Sequence, residues 1–147
     1  MRKRGALGAQ VEIRVPFYDV DSINVVWHGH YVKYLEEARC ALLDSLGYGY
    51  DAMRASGYVW PVIDLQLRYA QAAQFGQRLL VRAELVEWEN RLKINYLISE
   101  AASGQRLTRA SSVQVAVCMQ TREMQLASPP VLLDAVRRKL GAAETAA

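Results

Sequence analysis

The stretch Val15-Pro16-Phe17-Tyr18-Asp19-Val20-Asp21-Ser22-Ile23-Asn24-Val25-Val26-Trp27-His28-Gly29-His30-Tyr31 continues as Val32-Lys33-Tyr34-Leu35-Glu36-Glu37-Ala38-Arg39. On its upstream side, Gln10 to Phe17 alternates crudely between apolar and polar residues, which predicts a first strand that ends near Pro16. On its downstream side the period lengthens: Tyr31, Tyr34, Leu35, Ala38, Leu42 and Leu46 fall on one helical face, while Lys33, Glu36, Glu37 and Asp44 fall elsewhere. Gly47 supplies the C-terminal cap. A helix of about 16 residues is roughly 24 Å long, enough to cross a whole sheet. Between strand and helix the loop carries two carboxylates, an Asn, two His and a Gly, next to a helix N-terminus where polar chemistry concentrates.

After a short connection with one helical turn around Asp51 to Ala55, the pattern becomes β. Ile63, Leu65, Leu67 and Tyr69 alternate with Val62, Asp64, Gln66 and Arg68; further runs cover Leu79 to Trp88, Leu92 to Glu100 and Leu107 to Met119. Glu89-Asn90-Arg91 and Ser103-Gly104-Gln105 supply turns, so these last three runs form an antiparallel meander. Ser128-Pro129-Pro130 ends the sheet and opens a short terminal helix carrying Val131, Leu132, Ala135, Val136 and Leu140. One long amphipathic helix covering one face of an antiparallel sheet makes a two-layer α+β domain. Residues 1–8 and 141–147 are expected to be flexible ends of a single domain spanning 1–147. The other face of the sheet is expected to be partly apolar through Trp88, Val113 and Val115, which points to a homodimer or homotetramer.

A chain of 147 residues has room for one well-buried core without staples. Cys40 and Cys118 sit in apolar patterns without metal-ligand spacing, so reduced, mostly buried thiols and a cytoplasmic setting are expected. No apolar run is long enough for a membrane span. A formal charge of +3, with basic clusters only at Arg2 to Arg4 and Arg137 to Lys139, makes no case for nucleic acid and suits an anionic small ligand.

The residues Phe17-Tyr18-Asp19-Val20-Asp21, Val25-Val26-Trp27-His28, Tyr31 and Tyr34-Leu35-Glu36-Glu37-Ala38-Arg39 resemble the hot-dog fold acyl-CoA thioesterases, specifically the 4-hydroxybenzoyl-CoA thioesterase class and its bacterial acyl-CoA relatives. The element order agrees, since that family also follows strand one with a long helix and an antiparallel sheet of five to six strands wrapped around it. The resemblance implies a hydrolase of acyl-CoA thioesters that needs no cofactor and no metal. It implies Asp21 as the catalytic carboxylate and the main-chain N–H of His28, not its imidazole, as the donor that polarises the thioester carbonyl. Ser22-Ile23-Asn24 and His28-Gly29-His30 depart from the usual family residues, and the Asn-Val-Val-Trp-His-Gly form is similar to a subgroup tied to fatty-acid or polyketide assembly, where an acyl-ACP donor also fits.

Thioester hydrolysis needs an attacking or water-activating group and a donor for the developing oxyanion. Asp21 fits the first role as nucleophile or as general base, and both stay open. Asp19 reads as structural, holding the loop or pairing with an Arg. His28 and His30 are too closely spaced for a helical metal pair. Asn24 is read either as an orienting amide or as turn chemistry, and Trp27, Tyr31 and Trp60 either as acyl-pocket walls or as core. Asp64 points either to a dimer's active site or to solvent. Arg91, Lys93 and Arg122 are candidates for the phosphates of CoA. Two other functions are weighed: a 3-hydroxyacyl thioester hydratase or dehydratase of the same fold, using His28 or His30, and a non-catalytic acyl-binding protein.

Overall fold

The alternation and the helical stripe described above produce strand β1 (Gly8–Arg14), helices α1 (Tyr31–Ser45) and α2 (Tyr50–Ser56), and strands β2 (Tyr58–Val59) and β3 (Val62–Tyr69). There follow β4 (Arg78–Glu87), β5 (Leu92–Glu100), β6 (Arg106–Gln114), β7 (Val117–Cys118) and helix α3 (Pro130–Ala146). A computed structural model describes residues 7–146; the basic cluster Arg2 to Arg4 lies outside the described residues. All pairing is antiparallel, in the order β1-β4-β5-β6-β3, and a separate ribbon pairs β2 with β7.

The helix α1 forms because its apolar residues recur at helical spacing, and all six of the predicted face residues, Tyr31, Tyr34, Leu35, Ala38, Leu42 and Leu46, are buried. They pack against β1 and β4, whose inward residues Leu79, Val81, Ala83 and Leu85 alternate with half-buried ones. The same side of β5 contributes Leu92, Ile94, Tyr96 and Ile98. Beyond α1, Gly47 takes φ +71°, a left-handed conformation that glycine adopts without the steric cost other residues meet. The edge strand β3 sends Leu65, Leu67 and Tyr69 toward the α1 side, opposite Ser112, Ala110 and Thr108, while Asp64, Gln66 and Arg68 face outward. A bulge between Val62 and Asp64 breaks the alternation at the start of that strand.

Several sequence expectations need correction. The first strand stops at Arg14, and Phe17–Asp19 instead forms a 3-10 turn after Pro16, whose ring leaves no N–H to carry the ladder on. The predicted run Leu107 to Met119 divides after Gln114, since Val117 and Cys118 leave the main sheet to pair with Val59 and Tyr58. Helix α3 is long, not short: residues 141–146 continue it through Gly141, and Gly8 belongs to β1. Trp88, Val113 and Val115 do not make an apolar outer face, because Val113 and Val115 are buried and Trp88 packs against the core. The thiols of Cys40 and Cys118 are only half-buried. Among the described residues, no helix is long and apolar enough to cross a membrane.

Because Leu42 is fully buried at the centre of the helix–sheet contact, Leu42→Ala is expected to lower the unfolding free energy by about 3 kcal/mol, measurable by urea denaturation.

Candidate active site

The loop between β1 and α1 is stapled on both sides by its own backbone. Asp21 N–H donates to Val25 O (2.8 Å), Trp27 N–H to Asp19 O (3.0 Å) and Val26 N–H to Ala73 O (2.8 Å), with bridges Val20↔Val26 and Val25↔Gln74. A 3-10 turn at His28–His30 then leads straight into α1. Among the described residues, the N–H groups of His28 and Gly29 find no acceptor, as expected for the first donors of a helix start. They stand at the positive end of α1.

The two carboxylates of the loop point different ways, as residues two apart across a bridge-forming turn are free to do. Asp19 turns inward and is 2% exposed. Its oxygens accept from Lys33 Nζ (2.6 Å) and Tyr34 OH (2.7 Å), both on the first turn of α1. Burial alone opposes its charge, but the hydrogen bonds from Lys33 and Tyr34 and the nearby positive charge prevail and hold its carboxyl below the ordinary range. The same burial and the bond to Asp19 push the Tyr34 phenol far up. Asp19 is therefore structural, as read from sequence, but its partner is a Lys and a Tyr instead of an Arg. Asp21 is exposed, and its Oδ1 accepts from Ile23 N (3.0 Å) and Val25 N (3.4 Å). These bonds fix the turn and leave Oδ2 without a partner among the described residues.

Asn24 is an exposed turn residue with φ 65°, a conformation Asn tolerates better than most, and its N–H donates to Asp21 O at 3.0 Å. Trp27 is 49% exposed and its ring lies 4.8 Å from that of His28 and 5.2 Å from that of His30. A side-chain carbon at Gly29 would run into the Trp27 ring, so the Gly is what lets the indole lie over the helix start. His30 Nδ1 is 3.9 Å from Asp19 Oδ1, beyond hydrogen-bond reach.

Two tyrosines position this end of the helix, and sequence reasoning foresaw only one of them. Tyr31 is core: its OH accepts from Ala73 N at 2.9 Å and burial raises its phenol. Tyr69 donates its OH to His28 O at 2.8 Å and stacks edge-on to Tyr31 at 5.1 Å. The only available hint was that Tyr69 ends an alternating strand on its apolar side.

The remaining candidates lie elsewhere. Trp60 is buried and donates Nε1–H to Tyr48 OH at 3.1 Å, beyond the opposite end of α1 from His28. Asp64 faces away from α1 and accepts from Gln66 at 3.3 Å, roughly 16 Å along β3 from Tyr69. Arg91 pairs with Glu87 at 3.2 Å in the β4–β5 hairpin, and Lys93 lies opposite Glu87. That hairpin is at the far end of β4 from Arg78, which pairs with Arg14 next to the acidic loop. Arg122, at φ 61°, bonds Cys118 O beyond the β2–β7 ribbon. Within one chain these five do not meet Asp21.

A two-layer domain whose antiparallel sheet wraps one long helix, with a loop acid before the open helix N-terminus, is the hot-dog fold. Residues 15–140 match the thioesterase-like superfamily, and the chain belongs to that family. It is 32% identical over 90 residues, 56% of its length, to a Synechocystis protein to which esterase activity is attributed. Over 77 residues, 52% of its length, it is 29% identical to a Bacillus subtilis protein to which acyl-CoA thioesterase activity is attributed. The matched part spans about half the length of these curated relatives, 54% and 56% respectively. Among solved structures, a 1,4-dihydroxy-2-naphthoyl-CoA thioesterase from Synechocystis superposes with a TM-score of 0.78 at 24% identity, over 88% of this chain and 95% of that one.

Asp19→Asn removes the buried charge and is expected to cost about 2 kcal/mol at pH 7, the scale of hydrogen bonds to a charged group. Since the folded pKa is depressed, the stabilisation is fully present above the unfolded value of about 4 and is lost as pH falls through the folded pKa. Urea denaturation at pH 7 and pH 3 should therefore show the wild type losing more stability on acidification than the variant.

Proposed function

We propose that this protein hydrolyses acyl-CoA thioesters to the free acid and CoA thiol, without a cofactor. One observation carries the reading: among the described residues, the N–H groups of His28 and Gly29 have no acceptor at the positive end of α1, next to a loop acid, Asp21, whose second carboxylate oxygen has no partner. A carbonyl oxygen docked at those amides is polarised, and the negative charge of the tetrahedral intermediate forms where the donors already point. Asp21 acts there as nucleophile, giving a mixed anhydride that water then cleaves, or as the base that deprotonates the attacking water. The family supports thioester chemistry, and the relatives' attributed activities point the same way.

The assembly that suits this site is a homodimer through β3, a sheet edge with unpaired backbone and exposed Val62, Ile63, Leu65 and Tyr69. A two-fold pairing of antiparallel edges lays the Val62 end of one copy beside the Tyr69 end of the other. That carries the partner's copy of the far-end groups toward the helix N-terminus, which one chain alone does not do. The outward-facing polar side of the sheet gives no comparable reason for a tetramer.

The hydratase reading fares worse, because it needs an imidazole working with an acid. His30 sits 3.9 Å from Asp19, and that carboxylate is already occupied by Lys33 and Tyr34. An acyl-binding protein without turnover would keep the pocket and release no thiol.

The test is thiol release from short, long and aromatic acyl-CoAs in the presence of a chelator. Turnover that persists and falls by about 10²-fold or more in Asp21→Asn is expected. Absence of thiol release from every ester, with acyl-ACP included, would sink the proposal.

A further inference from the structure

The outer face of the sheet carries an arginine cluster that nothing in the reaction above uses. The register sets Arg68 on β3 directly opposite Arg109 on β6, and Leu97 links Arg109 across β5 to Arg82 on β4. Arg68, Arg106 and Arg109 line a groove of about 660 Å3, together with Asn95, Ser111 and one carboxylate, Glu84, while Arg82 reaches toward Gly8 on β1. Among the described residues, none of these four arginines has an ion-pair partner, whereas Arg78, Arg91 and Arg137 each do. Like charges facing each other across strands destabilise a sheet unless an anion lies between them. Three guanidiniums, of Arg68, Arg106 and Arg109, line the groove against one carboxylate, Glu84, which makes it locally positive.

Arginine in such a row grips phosphate bidentately, and the neighbouring Asn95 and Ser111 add neutral donors. A groove of this volume is of small-molecule size and suits a nucleotide better than the broad surface of a protein. Its place matters too. Arg68 adjoins Tyr69, whose hydroxyl holds His28 O, and Arg106 lies at the sheet end where Ala70 and Gln71 donate to Leu107 O. An arm reaching from the helix N-terminus around that end of β3 arrives at the arginines.

We infer that this groove binds the phosphorylated nucleotide end of CoA, with Arg68, Arg106 and Arg109 taking its pyrophosphate and 3′-phosphate. The inference rests on the thioester reading for the identity of the ligand and replaces Arg91, Lys93 and Arg122 as phosphate partners. It also selects CoA over a carrier protein, whose prosthetic arm has no nucleotide to fill the groove.

The experiment titrates adenosine 3′,5′-bisphosphate into the full chain by calorimetry, for wild type, the double variant Arg68→Gln/Arg109→Gln, and Glu84→Gln. It also measures KM for one acyl group carried on CoA and on pantetheine. The wild type should bind in a salt-sensitive way, the double variant about tenfold or more weakly, and Glu84→Gln more tightly. KM should rise in the double variant for the CoA ester and not for the pantetheine ester. Loss of the like-charge pair should leave the double variant melting no lower than wild type, which separates lost binding from lost folding. No binding by wild type, or equal affinity in wild type and double variant, overturns the inference. Nucleotide binding through the arginines without any thiol release keeps the groove and removes the hydrolase. Thiol release with a KM indifferent to the arginines does the reverse.

Discussion

The grip of one buried carboxylate on the first turn of α1 is what the site depends on. Asp19 ties the loop to the helix through Lys33 and Tyr34, and its own carbonyl accepts from Trp27 N–H, so three points fix where the helix begins. A buried charge is tolerable only when hydrogen-bonded and paired, and here both conditions are met within hydrogen-bond distance. With Asp19 tying the loop to the helix, the acid two residues later spends only one carboxylate oxygen on holding the turn. Asp21 keeps an exposed carboxylate with one oxygen in a turn and one free.

The rest of the molecule is arranged to keep that helix start open. The sheet supports α1 along its length, and the hydroxyls of Tyr31 and Tyr69 pin the 73-loop and the His28 carbonyl at the same end. Gly29 admits the Trp27 indole over the turn, where any side chain would collide with it. The consequence is a pair of amides, His28 and Gly29, whose direction is set by the fold before any ligand arrives, which is the condition for electrostatic stabilisation of an oxyanion. Within one chain, groups at the other end of α1, such as Trp60, stay away from this site.

The parts legible in the sequence are those fixed by local periodicity. The buried face of α1 was readable residue by residue, as were β5 and the meander, because each depends on a spacing of two or of three to four positions. What escaped depends on contacts far apart in the chain. The bond from Tyr69 to His28 spans 41 residues and that from Ala73 to Tyr31 spans 42, and no local pattern announces either. The outer face was misread for a similar reason: Val113 and Val115 look exposed by alternation, but tertiary packing buries them. Helix α3 ran past Gly141 because a single glycine weakens a helix by only about 1 kcal/mol, which its buried Leu132, Ala135 and Val136 outweigh. Of the candidate site, the loop acids and the helix start were legible, while the roles of Asp19 and Asp21 separated only once their partners were known.

The most direct test of the central claim is to follow backbone amide resonances of the isotope-labelled protein while adding a non-hydrolysable acyl-CoA analogue that keeps the carbonyl and replaces the thioester sulfur by a methylene. Hydrogen bonding of the analogue's carbonyl at the helix start predicts that the His28 and Gly29 N–H protons move farthest downfield of all amides. Saturating binding that leaves those two resonances unmoved, with the shifts centred elsewhere, would contradict the account.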